Sequence, residues 1–258
     1  GPFTNSWNTP TSGLPLAYAN LLLPYPGNNT KYILFHQTGG NLCQCAEKLY
    51  YSIIDMTLAG GLGGIATTQK NQIVIQDSLS IGITACQHAN GRDWWIVAIK
   101  DSSNIIYKIL LTPTGISSIT TQNLNLPISY YGNVGQPTFS FDGTKFAYTS
   151  GRAGSSPFQD VRIFSFNRCS GALDSIGYIP KLNQVGFGLS FSPNSKYLYY
   201  SSFHSIFQVE FLYKIVQQEH ASSQITVVVP ILFLKLFGRL TPEAPAPILY
   251  ELLLQNQE

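Results

Sequence analysis

Two stretches of this sequence, FSFDGTKFAYTS (Phe139–Ser150) and FSPNSKYLYYSS (Phe191–Ser202), align without gaps at an offset of 52 residues. A fixed period of that length constrains the fold more than any single motif, because each repeat must be one supersecondary unit that buries its apolar face on its neighbours. The same offset back from Asp142 lands on Asn90, in NGRDWWIVAIK, with Trp94-Trp95-Ile96 on Phe146-Ala147-Tyr148. Sixty-two residues earlier, NNTKYILFHQT places Asn28-Asn29 at the turn and Tyr32-Ile33-Leu34 on the strand. In every copy an apolar strand runs into Asn or Asp followed by a small or polar residue. Such pairs tolerate positive φ and close a tight hairpin.

A third strand follows in each unit: Leu49–Thr57, Ile105–Pro113, Val161–Cys169 and Ser205–Phe211. Their alternating or β-branched character suits half-buried strands. Stretches such as Asn71–Asp77 supply a fourth. Four antiparallel strands per unit of about 50 residues predict an all-β chain, a β-propeller with about four blades visible. The reading divides the chain into a lead-in (1–13), blades at 14–82, 83–133, 134–181 and 182–224, and a divergent tail at 225–258. In the tail no turn pair falls in register, and Pro247–Glu258 reads as a short amphipathic helix or a frayed end. The expectation is an incomplete propeller, truncated or shifted in frame after residue 224, whose open edges invite self-association.

Composition narrows the partners. Charged residues are 11%, against roughly 25% in ordinary soluble domains. The polar surface must come from Ser, Thr, Asn, Gln and Gly. Net charge is +2 without a basic cluster, so nucleic acid is excluded as a partner. The most apolar run, Val227–Leu240, contains Pro230, Lys235 and Arg239 and is too short for the roughly 20 residues of a transmembrane helix. GPFTNSWNTP at the start has no leader-like pattern. The four cysteines, Cys43, Cys45, Cys86 and Cys169, allow three disulfide connectivities, and no second pair completes a zinc site around Cys43 and Cys45. Neither a metal nor a cofactor is expected. The Gly-rich run Ala59–Gln69 leads into a strand rather than a helix, so it does not predict phosphate binding.

KYILFHQT, LYYSIIDMTLAGGLG, NGRDWWIVAIK, FSFDGTKFA, FNRCSGALDSIGYI and LSFSPNSKYLYYSS together resemble the propeller region of large surface proteins of Bacteroidota-type bacteria. Those proteins are often exported by type IX secretion. The resemblance spans roughly residues 14–223. It implies a propeller of the WD-like or YVTN-like class, an extracellular or cell-surface location and no enzymatic activity.

The densest run of functional side chains is HANGRDWW, His88–Trp95. The repeat register puts Asn90-Gly91 on a hairpin turn equivalent to Asp142-Gly143 and Asn194. Trp94 and Trp95 begin the next strand and face opposite sides. His88 and Asp93 lie across the turn, where their side chains are expected to hydrogen-bond. His88, Asn90, Gly91, Asp142, Gly143 and Asn194 therefore read as scaffold, while Arg92, Asp93, Trp94 and Trp95 are the candidate ligand anchors. His36 reads as a core or rim histidine, and His204 and His220 as solvated. No Ser, His and acid constellation suggests a triad, so no catalytic residue is assigned. The expected function is a non-catalytic interaction module binding a protein or a glycan. The alternative is a lactonase-like hydrolase or lyase acting at the central channel, which needs acids, His or Asn converging from several blades, often around Ca²⁺.

Overall fold

The computed structural model describes the backbone at residues 16, 18–39, 45–124, 135–152, 158–182, 186, 188–201, 206–220, 223–237 and 249–251, and most of their side chains up to residue 211. Seventeen strands make three hydrogen-bonded sheets among these residues. The first carries β1 (Asn20–Pro24), β2 (Lys31–Gly39), β3 (Ala46–Asp55), the short β4 (Gly64–Ile65), β5 (Gln72–Gln87), β6 (Trp94–Lys100), β7 (Ile105–Thr112) and β8 (Gly115–Asn123). The second is β9 (Pro137–Phe139), β10 (Lys145–Arg152), β11 (Phe158–Phe166) and β12 (Leu173–Leu182). The third is β13 (Leu189–Phe191), β14 (Tyr197–Ser201), β15 (Ile206–His220), β16 (Ser223–Phe237) and β17 (Leu249–Glu251).

The first sheet is two blades joined by one strand. The N-terminal half of β5 pairs with β3, from Gln72↔Tyr51 to Leu79↔Ala46. Its C-terminal half pairs with β6, from Ile83↔Ala98 to Gln87↔Trp94. The register slips between Leu79 and Ile83, around Gly82 at φ +120°. A side chain at Gly82 would strike Pro137 Cδ at 2.7 Å and the Gly135 carbonyl at 2.8 Å, so only glycine lets the crossover pass the third blade there. β5 is thus the outer strand of one blade and the inner strand of the next. The meander gives four antiparallel blades, and their inner strands β1, β5, β9 and β13 are successive neighbours.

The sequence period fades after residue 224, yet the described backbone there, at 225–237 and 249–251, is extended. β15 and β16 pair from Ile206↔Phe237 to His220↔Ser223. Leu249–Glu251, within the segment read as a helix or a frayed end, is a strand on the edge of β16. An open strand edge offers N–H and C=O groups that an adjacent chain satisfies by pairing. Among the described residues no helix is long and apolar enough to cross a membrane.

Strand alternation sends apolar residues to both faces of each blade, so the core lies between blades. Three buried clusters fill the three inter-blade gaps. Ile33, Phe35, Leu49, Ile96 and Ile109 hold the first blade to the second. Val97, Ile106, Phe146, Phe164 and Phe166 hold the second to the third. Val161, Ile163, Leu198, Tyr200 and Phe207 hold the third to the fourth.

With so few charges, side-chain amides supply the polar ties. Gln37, at the end of β2, donates to Ser80 O (3.1 Å) and accepts from Gly82 N–H (2.8 Å) on the second blade. Gln122 on β8 bonds both the N–H and the carbonyl of Leu173 on the third. Gln159 reaches Ser201 O on the fourth (3.0 Å).

Candidate functional site

The four turns between first and second strands lie at one end of the molecule and build the candidate site. In three of them the hydrogen bonding repeats. His88, Ser140 and Ser192 N–H groups donate to the carbonyls of Asp93, Lys145 and Tyr197 at 2.8–2.9 Å. Gly91, Gly143 and Ser195 adopt positive φ (+72°, +68° and +57°). The side-chain oxygens of Asn90, Asp142 and Asn194 accept the N–H groups of Arg92, Thr144 and Lys196 at 2.9–3.1 Å. His88 thus stands where the other copies have serine.

The expected side-chain bond between His88 and Asp93 is not what forms; the two residues meet through the backbone pair. The His88 ring accepts Asn90 N–H on Nδ1 (3.1 Å), which leaves Nε2–H to donate to the Cys169 carbonyl (3.1 Å). Asp93 is 5% exposed. It receives Arg92 through Nε (2.8 Å) and Nη2 (3.2 Å), and Asn90 Nδ2 (2.8 Å). The Arg92 bonds, joined by Asn90, hold its carboxyl below the usual range despite burial. Trp95 is 6% exposed, lies in the second inter-blade core and donates from Nε1 to Arg168 O (2.9 Å). Trp94 packs toward the first inter-blade core and keeps one side open. HANGRDWW is therefore a clasp from the second blade onto the Asn167–Gly171 turn of the third, with Arg92 and one side of Trp94 left at the surface.

A cavity of about 560 Å³ follows the inner strands β5, β9 and β13 beside these turns. Its polar wall carries Thr84, Gln87, Thr138, Asp142, Ser190 and Arg168. Phe141, 72% exposed, stands at the rim. Arg168 comes from the third blade's last turn. It donates from Nε to Gln87 O (2.8 Å), from Nη2 to His88 O (3.3 Å) and from Nη1 to Asp142 O (3.4 Å). Three of its five N–H groups are so engaged. Asp142 Oδ1 accepts Ser140 Oγ–H (2.6 Å), Thr144 N–H (2.9 Å) and Thr144 Oγ1–H (2.8 Å). Partial burial raises its pKa, but these bonds and the Lys145 ammonium 3.9 Å away outweigh that and keep it below the ordinary carboxylate value. Cys86 also lines the cavity, but burial pushes its thiol up to about 11, so it is not a nucleophile at neutral pH.

A second groove of about 440 Å³ lies between the first and second blades' turns and shares Gln87 and Trp94 with the first cavity. Arg92 lines this groove. Of the sequence-derived anchors, Trp94 faces both spaces, Arg92 one, and Asp93 and Trp95 neither. Sequence reasoning missed Arg168, Gln87, Thr84 and Ser190, which come from three blades and share no local pattern. His36 is buried on β2 and stacks on Tyr50 at 5.4 Å. His204 lies outside the described residues. Cys86 and Cys169 are free thiols, while Cys45 is disulfide-bonded. Among the described residues no three His, Cys, Asp or Glu side chains gather as a metal cage requires.

Fold and site together define a β-propeller with a polar cavity against its inner strands. No family model and no curated protein matches the sequence. Among solved structures, the chain is similar to a periplasmic gluconolactonase of Pseudomonas aeruginosa, with TM-score 0.50 and 14% identity over 84% of this chain and 56% of that one. Candidate 6-phosphogluconolactonases of Bacteroides fragilis and Bacteroides uniformis follow, with TM-scores 0.49 and 0.47, identities 14% and 15%, and 82% of this chain and 56% of each covered. The chain thus spans 56% of the length of these structures. The expectation that the chain is not an enzyme is corrected by the Pseudomonas structure, which is named a gluconolactonase. It rested on the absence of a local catalytic motif. A propeller cavity draws its groups from separate blades about 50 residues apart, so a local motif is not required there.

Proposed function

We propose that this chain is part of a lactonase-like propeller hydrolase that opens a sugar-acid lactone in the cavity along β5, β9 and β13. One observation carries the reading. Of the equivalent turn positions Asn90, Asp142 and Asn194, the one lining the cavity is the carboxylate. Amides satisfy the same turn elsewhere in the molecule, so the charge at Asp142 is not demanded by the turn.

In this reading Asp142 Oδ2, which makes no short bond within the turn, orients the attacking water and takes up its proton. Water adds to the lactone carbonyl, the ring C–O bond breaks, and the ring oxygen takes the proton back from Asp142 to become the hydroxyl of the open acid. The two uncommitted N–H groups of Arg168 face the charge that develops on the carbonyl oxygen. Thr84, Gln87 and Ser190 offer hydroxyl and amide partners to the polyol, and Phe141 offers a ring face. A secreted or cell-surface location belongs to the same proposal and is supported by the disulfide at Cys45.

The test is pH-stat titration of D-glucono-1,5-lactone with the 258-residue chain. Turnover above the spontaneous rate is expected, falling about 10²-fold or more in Asp142→Asn, the usual scale for loss of a positioned base. Because asparagine is native at the equivalent turns, that variant should melt within a few degrees of the parent. No turnover above background, or an unimpaired Asp142→Asn, would falsify the proposal.

A further inference from the structure

We infer that the second groove is a subsite for a neutral glycosyl unit, which makes the preferred substrate a glycosylated aldonolactone rather than a phosphorylated one. The substrate assignment rests on the lactonase reading; the sugar subsite itself does not. Gln87 and Trp94 line both spaces, so a ligand crossing that divider occupies the two at once.

The lining decides the chemistry. Tyr25, Tyr32 and Trp94 bring aromatic rings, and Asn28, Asn29 and Gln87 bring amides. Aromatic faces beside amides suit the apolar faces and hydroxyl edges of a pyranose ring. A phosphate would need uncompensated positive charge. The groove has two cations, and each already has a carboxylate. Arg92 is held in a two-point pair with Asp93 at 2.8 and 3.2 Å. Lys31 lies 3.6 Å from Asp55. The groove therefore presents polar groups with little net charge. Its volume of about 440 Å³ falls within the roughly 300–1,000 Å³ of ordinary small-molecule sites. Its wall is set by folding: Gly27, at φ +68°, brings the first turn against Pro113 of the second blade.

Two-dimensional NMR of the tryptophan indole N–H groups tests this on the full chain. Maltose, and maltobionate as the non-reactive open acid, are expected to shift the Trp94 signal saturably. Trp95, bonded to Arg168 O in the interior, should move less. Tyr32→Ala should weaken maltose binding about ten-fold, and Asp142→Asn should leave it intact. Saturable maltose binding in a chain without lactone turnover would sink the lactonase reading and leave the sugar subsite standing. The subsite is overturned by three results: no saturable Trp94 shift with either sugar, an equal response to inorganic phosphate, or an unchanged affinity in Tyr32→Ala.

Discussion

At the scale of single residues, the turn positions carry more than turn chemistry. Gly143 is a glycine for two reasons. Its φ of +68° disfavours any side chain, and a Cβ there would sit 2.6 Å from Cys86 Sγ and 2.9 Å from Arg168 Cδ. Gly143→Ala is expected to cost about 1–3 kcal/mol, from left-handed strain and crowding together. Urea unfolding should show a lower midpoint at unchanged slope. A midpoint equal to the parent's would mean that Arg168 and Cys86 yield freely, and that the cavity wall is softer than its packing implies. His88 teaches the complementary lesson. In sequence it reads as a scaffold residue whose side chain bonds Asp93 across the turn. In the fold its ring replaces the serine of the repeat, because Nδ1 can take the N–H that needs an acceptor there.

At the scale of strands and blades, the glutamines replace what charges do in other proteins. The amides of Gln37 and Gln122 each mimic a strand's N–H and C=O pair, and so extend hydrogen bonding from one blade to the next. Gln37 is fully buried, so an apolar replacement orphans Gly82 N–H and Ser80 O. Gln37→Leu is expected to destabilise by about 1–3 kcal/mol, the usual cost of stranded buried polar groups. Hydrogen exchange should quicken at Gly82 before it does in β11. Exchange unchanged at Gly82 would show that the tie holds nothing. The strands and turns were legible in the sequence because each blade repeats a local pattern of hairpin and alternation. The ties were not, because a glutamine's partner lies more than 40 residues away and no periodicity marks it.

At the scale of the whole molecule, stability is distributed over three inter-blade cores, and a buried titratable group makes it pH-dependent. Burial in the first blade lowers the pKa of His36 below its ordinary 6.5. The native state then binds fewer protons than the unfolded chain between the lowered value and 6.5, so stability rises with pH through that window and is lost on acidification. The urea midpoint should fall between about pH 7 and pH 5, and His36→Phe should flatten that fall. An equally steep loss in His36→Phe would place the acid sensitivity elsewhere.

The sequence by itself determined the period, the antiparallel hairpins, the residues that close them and the low charge that leaves amides as the polar currency. Each of these is set within one repeat, by backbone conformational preference and alternation. Only the tertiary structure decided that Trp95 is a clasp while Trp94 stays partly open, that Arg168 reaches back onto the turns of two blades, and that Asp142 rather than its counterparts lines a cavity. Those outcomes depend on how one blade is rotated against the next. That rotation is fixed by the packing of side chains about 50 residues apart, which no local pattern encodes.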